Sequence, residues 1–138
     1  MQNLILNEDR KIRNKHLLNL LNAEIYAAGG DYHNAIEEYK YIPEDSGLLL
    51  KSEILRNLNR YEEALEITKQ MRKPERFEYL FEFPLAYYHR GLIYEDMGNA
   101  ELAVKNYEKL LKLWKDGDKK LPIRLETEKR LSALKKNM

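Results

Sequence analysis

The sequence has no cysteine among its 138 residues. Disulfide bonds, thiol nucleophiles and thiolate metal ligands are therefore excluded together. A membrane-spanning helix needs about 18 or more consecutive apolar residues, and no run in this sequence approaches that length. The first residues, Met-Gln-Asn, lack the basic stretch and apolar core that begin a secretory signal peptide. We therefore expect a reducing, cytoplasmic location and no membrane partner.

An excess of charge of one sign is also lacking, because 24 basic side chains face 23 acidic ones. A protein that holds nucleic acid through its phosphates needs a concentrated basic surface. The most basic stretch, residues 115–138, has eight Lys or Arg against four Asp or Glu and no aromatic residue among them. We interpret it as the solvated face of a capping segment and expect no nucleic-acid partner.

Sequence motifs for catalysis and for cofactor binding are missing as well. No Gly-x-x-x-x-Gly-Lys phosphate loop is present, and no serine lies in a Gly-x-Ser-x-Gly turn. The histidines His16, His33 and His89 are far apart in sequence and form no metal-binding pair, so we interpret them as ordinary surface histidines. The sequence thus predicts no enzyme, no cofactor and no metal site.

Only four prolines and six glycines interrupt the chain, and strand-like alternation of apolar and polar residues appears nowhere at useful length. Apolar residues recur instead with the spacing of helices, and at 43% they are numerous enough to form a core. An all-α fold follows from this pattern. The predicted helices span about 8–28, 33–42, 46–58, 61–72, 76–97, 100–115 and 122–136.

Three similar turns separate these helices into pairs. Gly30 and Gly98 each follow an apolar periodic segment, and Asn59 occupies the same place in a third segment. Glycine and asparagine tolerate positive φ, and a residue in that conformation commonly ends a helix. We predict that all three residues terminate a helix in the left-handed conformation.

The helices around these turns repeat a pattern. After the turns, the alanines Ala35, Ala64 and Ala103 lie 29 and 39 residues apart, on either side of the period of about 34 that marks helix-turn-helix arrays. Before the turns, a small residue is followed three places later by tyrosine or leucine. These pairs are Ala23 with Tyr26, Ser52 with Leu55, and Gly91 with Tyr94. The aromatic place after each alanine holds Tyr39, Thr68 and Tyr107, so the second copy departs from the pattern.

This order of residues, over about residues 16–115, resembles the tetratricopeptide repeat. The resemblance implies an all-α, right-handed solenoid of three antiparallel helix pairs in a single domain, residues 1–138. Repeats are expected at about 16–43, 45–74 and 84–115, with a C-terminal capping helix at about 122–136. The tail after Trp114 looks like the end of such arrays in bacterial multidomain signalling proteins. We expect the small residues Gly91 and Ala103 to meet across the third hairpin, where they permit a close approach.

The resemblance also implies a non-enzymatic interaction module, with a peptide or protein partner in a concave groove lined by the first helix of each pair. The family's usual contact places correspond here to Leu17, Leu20, Glu24, Leu49, Glu53, Arg56, Asn57, Leu85, Tyr88, Leu92, Glu95 and Asp96. This set predicts a partner with an apolar anchor flanked by Lys or Arg, and Tyr88 as the hot spot. The aromatic run Phe77, Tyr79, Phe81 and Phe83 either extends the groove or packs in the core.

Glu95 and Asp96 are unusual because they fall in the last turn of a helix, where the helix dipole disfavours acids. Either a partner's cations or a lysine or arginine neighbour from the next helix explains them. A known variant of the family clamps acidic chaperone tails with Lys, Asn and Arg. The matching positions here are Leu20, Glu24, Leu50, Leu85 and His89. None agrees, so the sequence does not predict that activity.

The first predicted helix is apolar around most of its circumference, with Leu18, Leu21 and Ile25 among its large side chains. An alternative function follows from this pattern. The chain would then be the terminal piece of a longer array, acting in self-assembly or in contact with a neighbouring domain. The N-terminal helix would pair with a second copy or with a preceding domain. If residues 1–7 instead fold over the helix as a lid, the chain is a monomer.

Overall fold

The computed structural model describes residues 2–71 and 82–138, and every regular element within them is helical. The α-helices are α1 (Gln2–Ala28), α2 (Tyr32–Glu38), α3 (Leu48–Asn57), α4 (Tyr61–Gln70), α5 (Glu82–Asp96), α6 (Ala100–Leu113) and α7 (Pro122–Lys136). A short 3-10 helix, Tyr39–Tyr41, follows α2. The first six residues of the predicted helix at 76–97 lie outside the described residues.

Each of α1, α3 and α5 ends in the same hydrogen-bonded turn. Gly30, Asn59 and Gly98 have φ of 79°, 58° and 74°. After α5, the amide of Gly98 donates to the carbonyl of Glu95 at 2.9 Å, and that of Asn99 donates to the carbonyl of Tyr94 at 2.8 Å. The same two bonds form at Gly30 and at Asn59. These bonds satisfy carbonyls that have no hydrogen-bond donor within the helix. The predicted left-handed terminations are confirmed.

The helices pack as three antiparallel pairs, α1 with α2, α3 with α4 and α5 with α6, and α7 covers α6. Successive pairs meet through α2 with α3, α4 with α5 and α3 with α5. One core cluster joins the first two pairs and contains Ala23, Ala35, Tyr39, Ile42 and Ile54. Another joins the last two pairs and contains Leu48, Leu55, Ala64, Ile67, Met71, Ala86 and Ile93. The predicted all-α, tetratricopeptide-like solenoid with a capping helix is therefore the observed architecture.

Gly91 lets α5 approach α6 closely. A Cβ atom at this position would lie 2.2 Å from Cε1 of the Tyr107 ring, and the next two nearest atoms also belong to Tyr107. Ala103 is fully buried in the same helix pair. The close approach was predicted, but its tightest contact is with Tyr107 and not with Ala103, because an aromatic ring reaches further than a methyl group.

The first pair differs from the prediction at both of its helices. Helix α1 begins at Gln2, well before the predicted start at about 8, since no glycine or proline interrupts residues 2–28. Residues 2–7 therefore continue the helix, and the lid prediction is wrong for them. Helix α2 ends early because Ile42 precedes Pro43 and is extended, with φ −107° and ψ 137°.

The loop after α2 contains a left-handed glycine that sequence analysis missed. Gly47 has φ 63° and immediately precedes α3. The hydroxyl group of Tyr39 donates to the carbonyl oxygen of Gly47 at 2.8 Å. This hydrogen bond ties the end of the first pair to the beginning of the second, and α3 starts at Leu48 instead of residue 46.

Thr68 occupies the place where the other repeats have Tyr39 and Tyr107. Arg90 from α5 donates two hydrogen bonds to it. The Arg90 guanidinium donates from Nε to Thr68 Oγ1 and from Nη2 to the Thr68 carbonyl, both at 2.8 Å. Thr68 is fully buried, and its own hydroxyl donates to the carbonyl of Leu65 at 2.7 Å. A hydrogen-bonded guanidinium thus replaces an aromatic contact between the second and third pairs.

We expect Arg90→Met to lower the free energy of unfolding by about 1.5 kcal/mol, because the buried oxygens of Thr68 lose their charged donor. Urea unfolding followed by circular dichroism would measure the change. Arg13→Met, which removes an exposed arginine from α1, is the matched control and should leave stability unchanged. If both variants are as stable as wild type, the Arg90–Thr68 contact does not stabilise the fold.

The basic C-terminal stretch is not simply a solvated face, and that interpretation needs correction. Arg124 is buried, and its Nη1 donates to the carbonyl oxygens of Trp114 at 2.5 Å and Gly117 at 3.3 Å. Arg130 is partly buried and its Nη1 lies 3.1 Å from Oε2 of Glu95 in α5. The two arginines therefore hold α7 against the third pair. The lysines of the stretch stay exposed, and one of them, Lys135, pairs with Glu108 in α6 at 2.6 Å.

Candidate partner-binding groove

Helices α1, α3 and α5 are the first helices of the three pairs, and α1 and α3 border a depression of about 210 Å³. We call it the α1–α3 depression. Its lining residues are Glu24, Ala27, Ala28, Leu50 and Glu53. Glu24 and Glu53 belong to the predicted groove, whereas Leu50 was not among its predicted contact residues. Its inclusion depends on how α3 is rotated against α1, which no local sequence signal specifies.

The two carboxylates of the α1–α3 depression are exposed and unpaired. Within residues 2–71 and 82–138, neither Glu24 nor Glu53 makes an ion pair or a side-chain hydrogen bond. The small side chains of Ala27 and Ala28 and the partly buried Leu50 line the same depression. Lysine and arginine can lay an apolar stem on such a floor while the cationic end stays at the rim. The depression is therefore suited to a basic side chain.

The acids at the end of α5 have partners within the protein. Glu95 accepts hydrogen bonds from the Tyr107 hydroxyl at 2.5 Å and from Arg130 Nη1 at 3.1 Å. Asp96 Oδ2 lies 3.6 Å from Nη1 of Arg56 in α3. Burial, and then the hydrogen bond to Glu95, raise the pKa of Tyr107 well above its usual range. Both acids therefore have basic neighbours, but these come from α7 and α3 and not from the next helix, α6, as predicted. The acids that remain unpaired in the predicted groove are Glu24 on α1 and Glu53 on α3.

The apolar residues of the predicted groove are not equally accessible. Leu17 is 58% exposed, whereas Leu20 and Leu49 are partly buried against the two core clusters. Leu92 is only 8% exposed, so its prediction as a contact residue is wrong. Helix α5 packs against both α3 and α6, and this encloses the middle of the helix.

Tyr88 and Leu85 on α5 are partly buried and keep some accessible surface. The Tyr88 ring centroid lies 6.1 Å from that of Tyr107 and 6.0 Å from that of His89. Asn57 on α3 is exposed and donates from Nδ2 to the carbonyl of Glu53 at 2.9 Å. The aromatic run at 77–83, which was predicted either to extend this surface or to pack in the core, lies outside the described residues except for the backbone of Phe83.

His89 is not an ordinary surface histidine. It is partly buried next to Tyr88, and desolvation, together with the positive charge of Arg56, lowers its pKa to about 4. An imidazole in this environment stays neutral at physiological pH. It therefore adds no positive charge to the groove that would repel a basic partner.

A larger cleft, of about 530 Å³, opens between α2, α3 and α4 and was not predicted. Its lining residues are Ile36, Tyr39, Lys40, Lys51, Leu55, Arg60, Glu62, Glu63, Glu66 and Ile67. On a helical wheel at about 100° per residue, Lys51 and Leu55 lie on a different side of α3 from Leu50 and Glu53, which line the α1–α3 depression. The only sequence signal for this cleft is Pro43, which stops α2 early.

The charged residues of this cleft largely pair among themselves and with their helix neighbours. Arg60 Nη2 lies 2.6 Å from Oε2 of Glu63, and the Lys51 ammonium lies 5.5 Å above the centre of the Tyr39 ring. Lys40 pairs with Glu37, and Glu66 with Lys69. The α1–α3 depression is smaller but has unpaired charges, so it is the stronger candidate for recognising a charged partner.

In the described part of the chain, no three His, Asp or Glu side chains are arranged to hold a metal ion. No helix in those residues is both long enough and apolar enough to cross a lipid bilayer.

Comparison with known protein families finds a match in the third helix pair, α5 with α6. Residues 85–113 match the family model of the tetratricopeptide repeat, which covers α5 from Leu85 onward and all of α6. No curated protein matches the chain. The third helix pair is therefore similar to a tetratricopeptide repeat, and this similarity supports a general role in protein–protein interaction.

Proposed function

We propose that this chain is a non-enzymatic interaction module that holds a basic segment of a partner protein or peptide on the side formed by α1, α3 and α5. The observation that supports this function is the pair of unpaired carboxylates, Glu24 and Glu53, over the apolar floor of the α1–α3 depression. A volume of about 210 Å³ suits one long side chain and not a drug-sized ligand, which needs about 300 Å³ or more.

The partner's Lys or Arg enters the α1–α3 depression and pairs with both carboxylates, while its aliphatic stem packs on Leu50. A neighbouring apolar side chain of the partner contacts the accessible surface of Leu85 and Tyr88 on α5. Tyr88 remains the proposed hot spot, because a tyrosine combines a large contact area with a polar end. Glu95 and Asp96 pair with Arg130 and Arg56, so the proposal gives them no contact with the partner.

We expect Glu53→Lys to weaken binding of a basic peptide at least tenfold, which corresponds to about 1.4 kcal/mol. The substitution replaces an attractive charge in the depression with a repulsive one. The probe is a set of short fluorescein-labelled peptides that have a central Leu, Phe or Trp flanked by lysines. Charge-reversed peptides with glutamates in place of the lysines complete the set. Fluorescence anisotropy at low and high salt would measure the affinities.

Two controls separate the groove from a general charge effect. Glu44→Lys changes the net charge by the same amount at an exposed position in the loop before α3, and it should leave the affinity nearly unchanged. Tyr88→Ala should weaken binding, whereas Tyr41→Ala, which removes a tyrosine that is 60% exposed on the other side of the first pair, should not. The proposal fails if the basic and acidic peptides bind alike, or if Glu44→Lys weakens binding as much as Glu53→Lys.

A second candidate function is assembly, in which the chain ends a longer array and contacts another copy or a neighbouring domain. The observation that favours it is the exposed apolar face of α1. Leu18, Leu21 and Ile25 are 57%, 52% and 60% exposed. In a stack of repeats, such a face is normally covered by the next unit.

A further inference from the structure

Glu95 lies close to the proposed hot spot, Tyr88, on α5. The two residues are seven positions apart, so they fall within about 20° of each other on a helical wheel and about 10 Å apart along the axis. The Tyr107 ring connects them, because its centroid lies 6.1 Å from that of Tyr88 and its hydroxyl donates to Oε1 of Glu95 at 2.5 Å. A partner segment that contacts Tyr88 can therefore continue along α5 to Glu95.

The carboxylate of Glu95 is already occupied by a cation of the chain itself. Nη1 of Arg130 on α7 lies 3.1 Å from Oε2 of Glu95. This ion pair is accessible to solvent, since the side chains of Glu95 and Arg130 are 21% and 35% exposed. Arg130 therefore holds Glu95 in the way that a Lys or Arg side chain of a partner would hold it.

The contact between Arg130 and Glu95 can open at a small cost in free energy, because partly exposed ion pairs contribute little to stability. Among the described residues, neither core cluster includes a side chain of α7, and the buried residues of α7 are Arg124 and Thr127, which are both polar. Nε of Arg130 also lies 2.9 Å from Oε1 of Glu126 on its own helix. The guanidinium therefore keeps an acidic partner when it leaves Glu95.

We propose that Arg130 regulates the partner-binding groove by competing for Glu95 with a second basic side chain of the partner. This inference rests on the proposed function, in which a first Lys or Arg enters the α1–α3 depression. A partner with basic residues on both sides of its apolar anchor places the second one against Glu95 only after Arg130 has turned toward Glu126. Any contact that draws α7 away from α5 therefore strengthens binding of such a partner.

Peptide binding to Arg130→Gln tests the proposal. The probes are two fluorescein-labelled peptides with a central Trp and the same number of lysines, placed on both sides of the Trp or on one side only. Fluorescence anisotropy should show that Arg130→Gln binds the two-sided peptide about threefold or more tightly than wild type, as expected for one partly exposed ion pair. The affinity for the one-sided peptide should stay nearly unchanged, because a single basic flank does not reach both the α1–α3 depression and Glu95.

Two further variants separate competition from a general charge effect. Lys129→Gln removes the same charge from an exposed position of α7 and should leave the affinity for both peptides nearly unchanged. Glu95→Gln should have little effect in the wild-type background, because Arg130 already occupies the carboxylate. In the Arg130→Gln background, the same substitution should abolish the gain in affinity, whereas a general charge effect would be equal in both backgrounds. Circular dichroism checks that each variant is folded.

The competition by Arg130 is disproved if Arg130→Gln binds the two-sided peptide no more tightly than wild type, or if Lys129→Gln gains as much. A test that leaves position 130 unchanged is also decisive. If Glu95→Gln alone weakens binding of the two-sided peptide severalfold, the partner already uses Glu95 in the wild-type chain, and Arg130 is no competitor. Glu53→Lys decides the proposed function separately. If it weakens binding while Arg130→Gln has no effect, only the competition by Arg130 is overturned.

Discussion

Gly91→Ala should lower the free energy of unfolding by about 2 kcal/mol, within the range typical of overpacked cores. The added methyl group would lie 2.2 to 2.6 Å from three atoms of the Tyr107 ring. That ring cannot move aside easily, because it is fully buried and its hydroxyl donates to Glu95. Alanine favours a helix by about 1 kcal/mol over glycine, and we expect the overpacking to outweigh this gain in stability. Urea unfolding followed by far-ultraviolet circular dichroism would measure it.

Gly29→Ala provides the matched comparison for this substitution. A Cβ atom at Gly29 would meet only the backbone oxygens of Tyr26 and Ile25, at 3.5 and 3.6 Å, which are ordinary contacts. We expect this variant to be as stable as wild type. In a Tyr107→Ala background, Gly91→Ala should lower the free energy of unfolding much less, because the aromatic ring that the new methyl group would meet is absent. Equal stability of Gly91→Ala and wild type would show that α5 and α6 are not packed this closely.

Acidification should destabilise the fold through His89. Burial lowers the pKa of His89 to about 4 in the folded protein, whereas an exposed histidine in the unfolded chain titrates near 6.5. As the pH falls, the unfolded chain therefore binds the proton first. Neutral His89 makes its full contribution to the free energy of unfolding above about pH 6.5, and this contribution is lost as the pH falls to about 4. Each pKa unit is worth about 1.4 kcal/mol, so the total is roughly 3 kcal/mol, of which about 2 kcal/mol is lost above pH 5.

Urea unfolding at about pH 7 and pH 5 would measure this loss, in a range where most carboxylates remain ionised. His89→Gln, which is neutral at both pH values, should be equally stable at both. His33→Gln removes an exposed histidine from α2 and should keep the wild-type pH dependence. A pH dependence of stability that is unchanged in His89→Gln would assign the effect to another group and contradict the burial of this imidazole.

The accessibility of the predicted groove residues depends on how the neighbouring helices pack. Glu24 and Glu53 do lie together in the α1–α3 depression. Leu92 was assigned to the groove but is buried, and Leu50 was missed although it lines the depression. The family pattern places residues on one face of a helix. It does not specify how much of that face the neighbouring helices enclose.

Local features were determined by the sequence alone. The left-handed helix ends at Gly30, Asn59 and Gly98 follow from residues that tolerate positive φ after an apolar periodic segment. The capping helix α7 has the predicted bounds, since Pro122 favours the first turn of a helix. Each of these inferences depends on residues within a few positions of one another.

Only the tertiary structure decided which side chains pair across helices. Arg90 with Thr68, Arg130 with Glu95 and Arg56 with Asp96 join residues that are 22, 35 and 40 positions apart. Such contacts depend on the angle and rotation at which whole helices pack, and these arise from the summed packing of many side chains. For the same reason, the sequence placed four acids in one groove, and the packing of α3, α5 and α7 left only Glu24 and Glu53 unpaired.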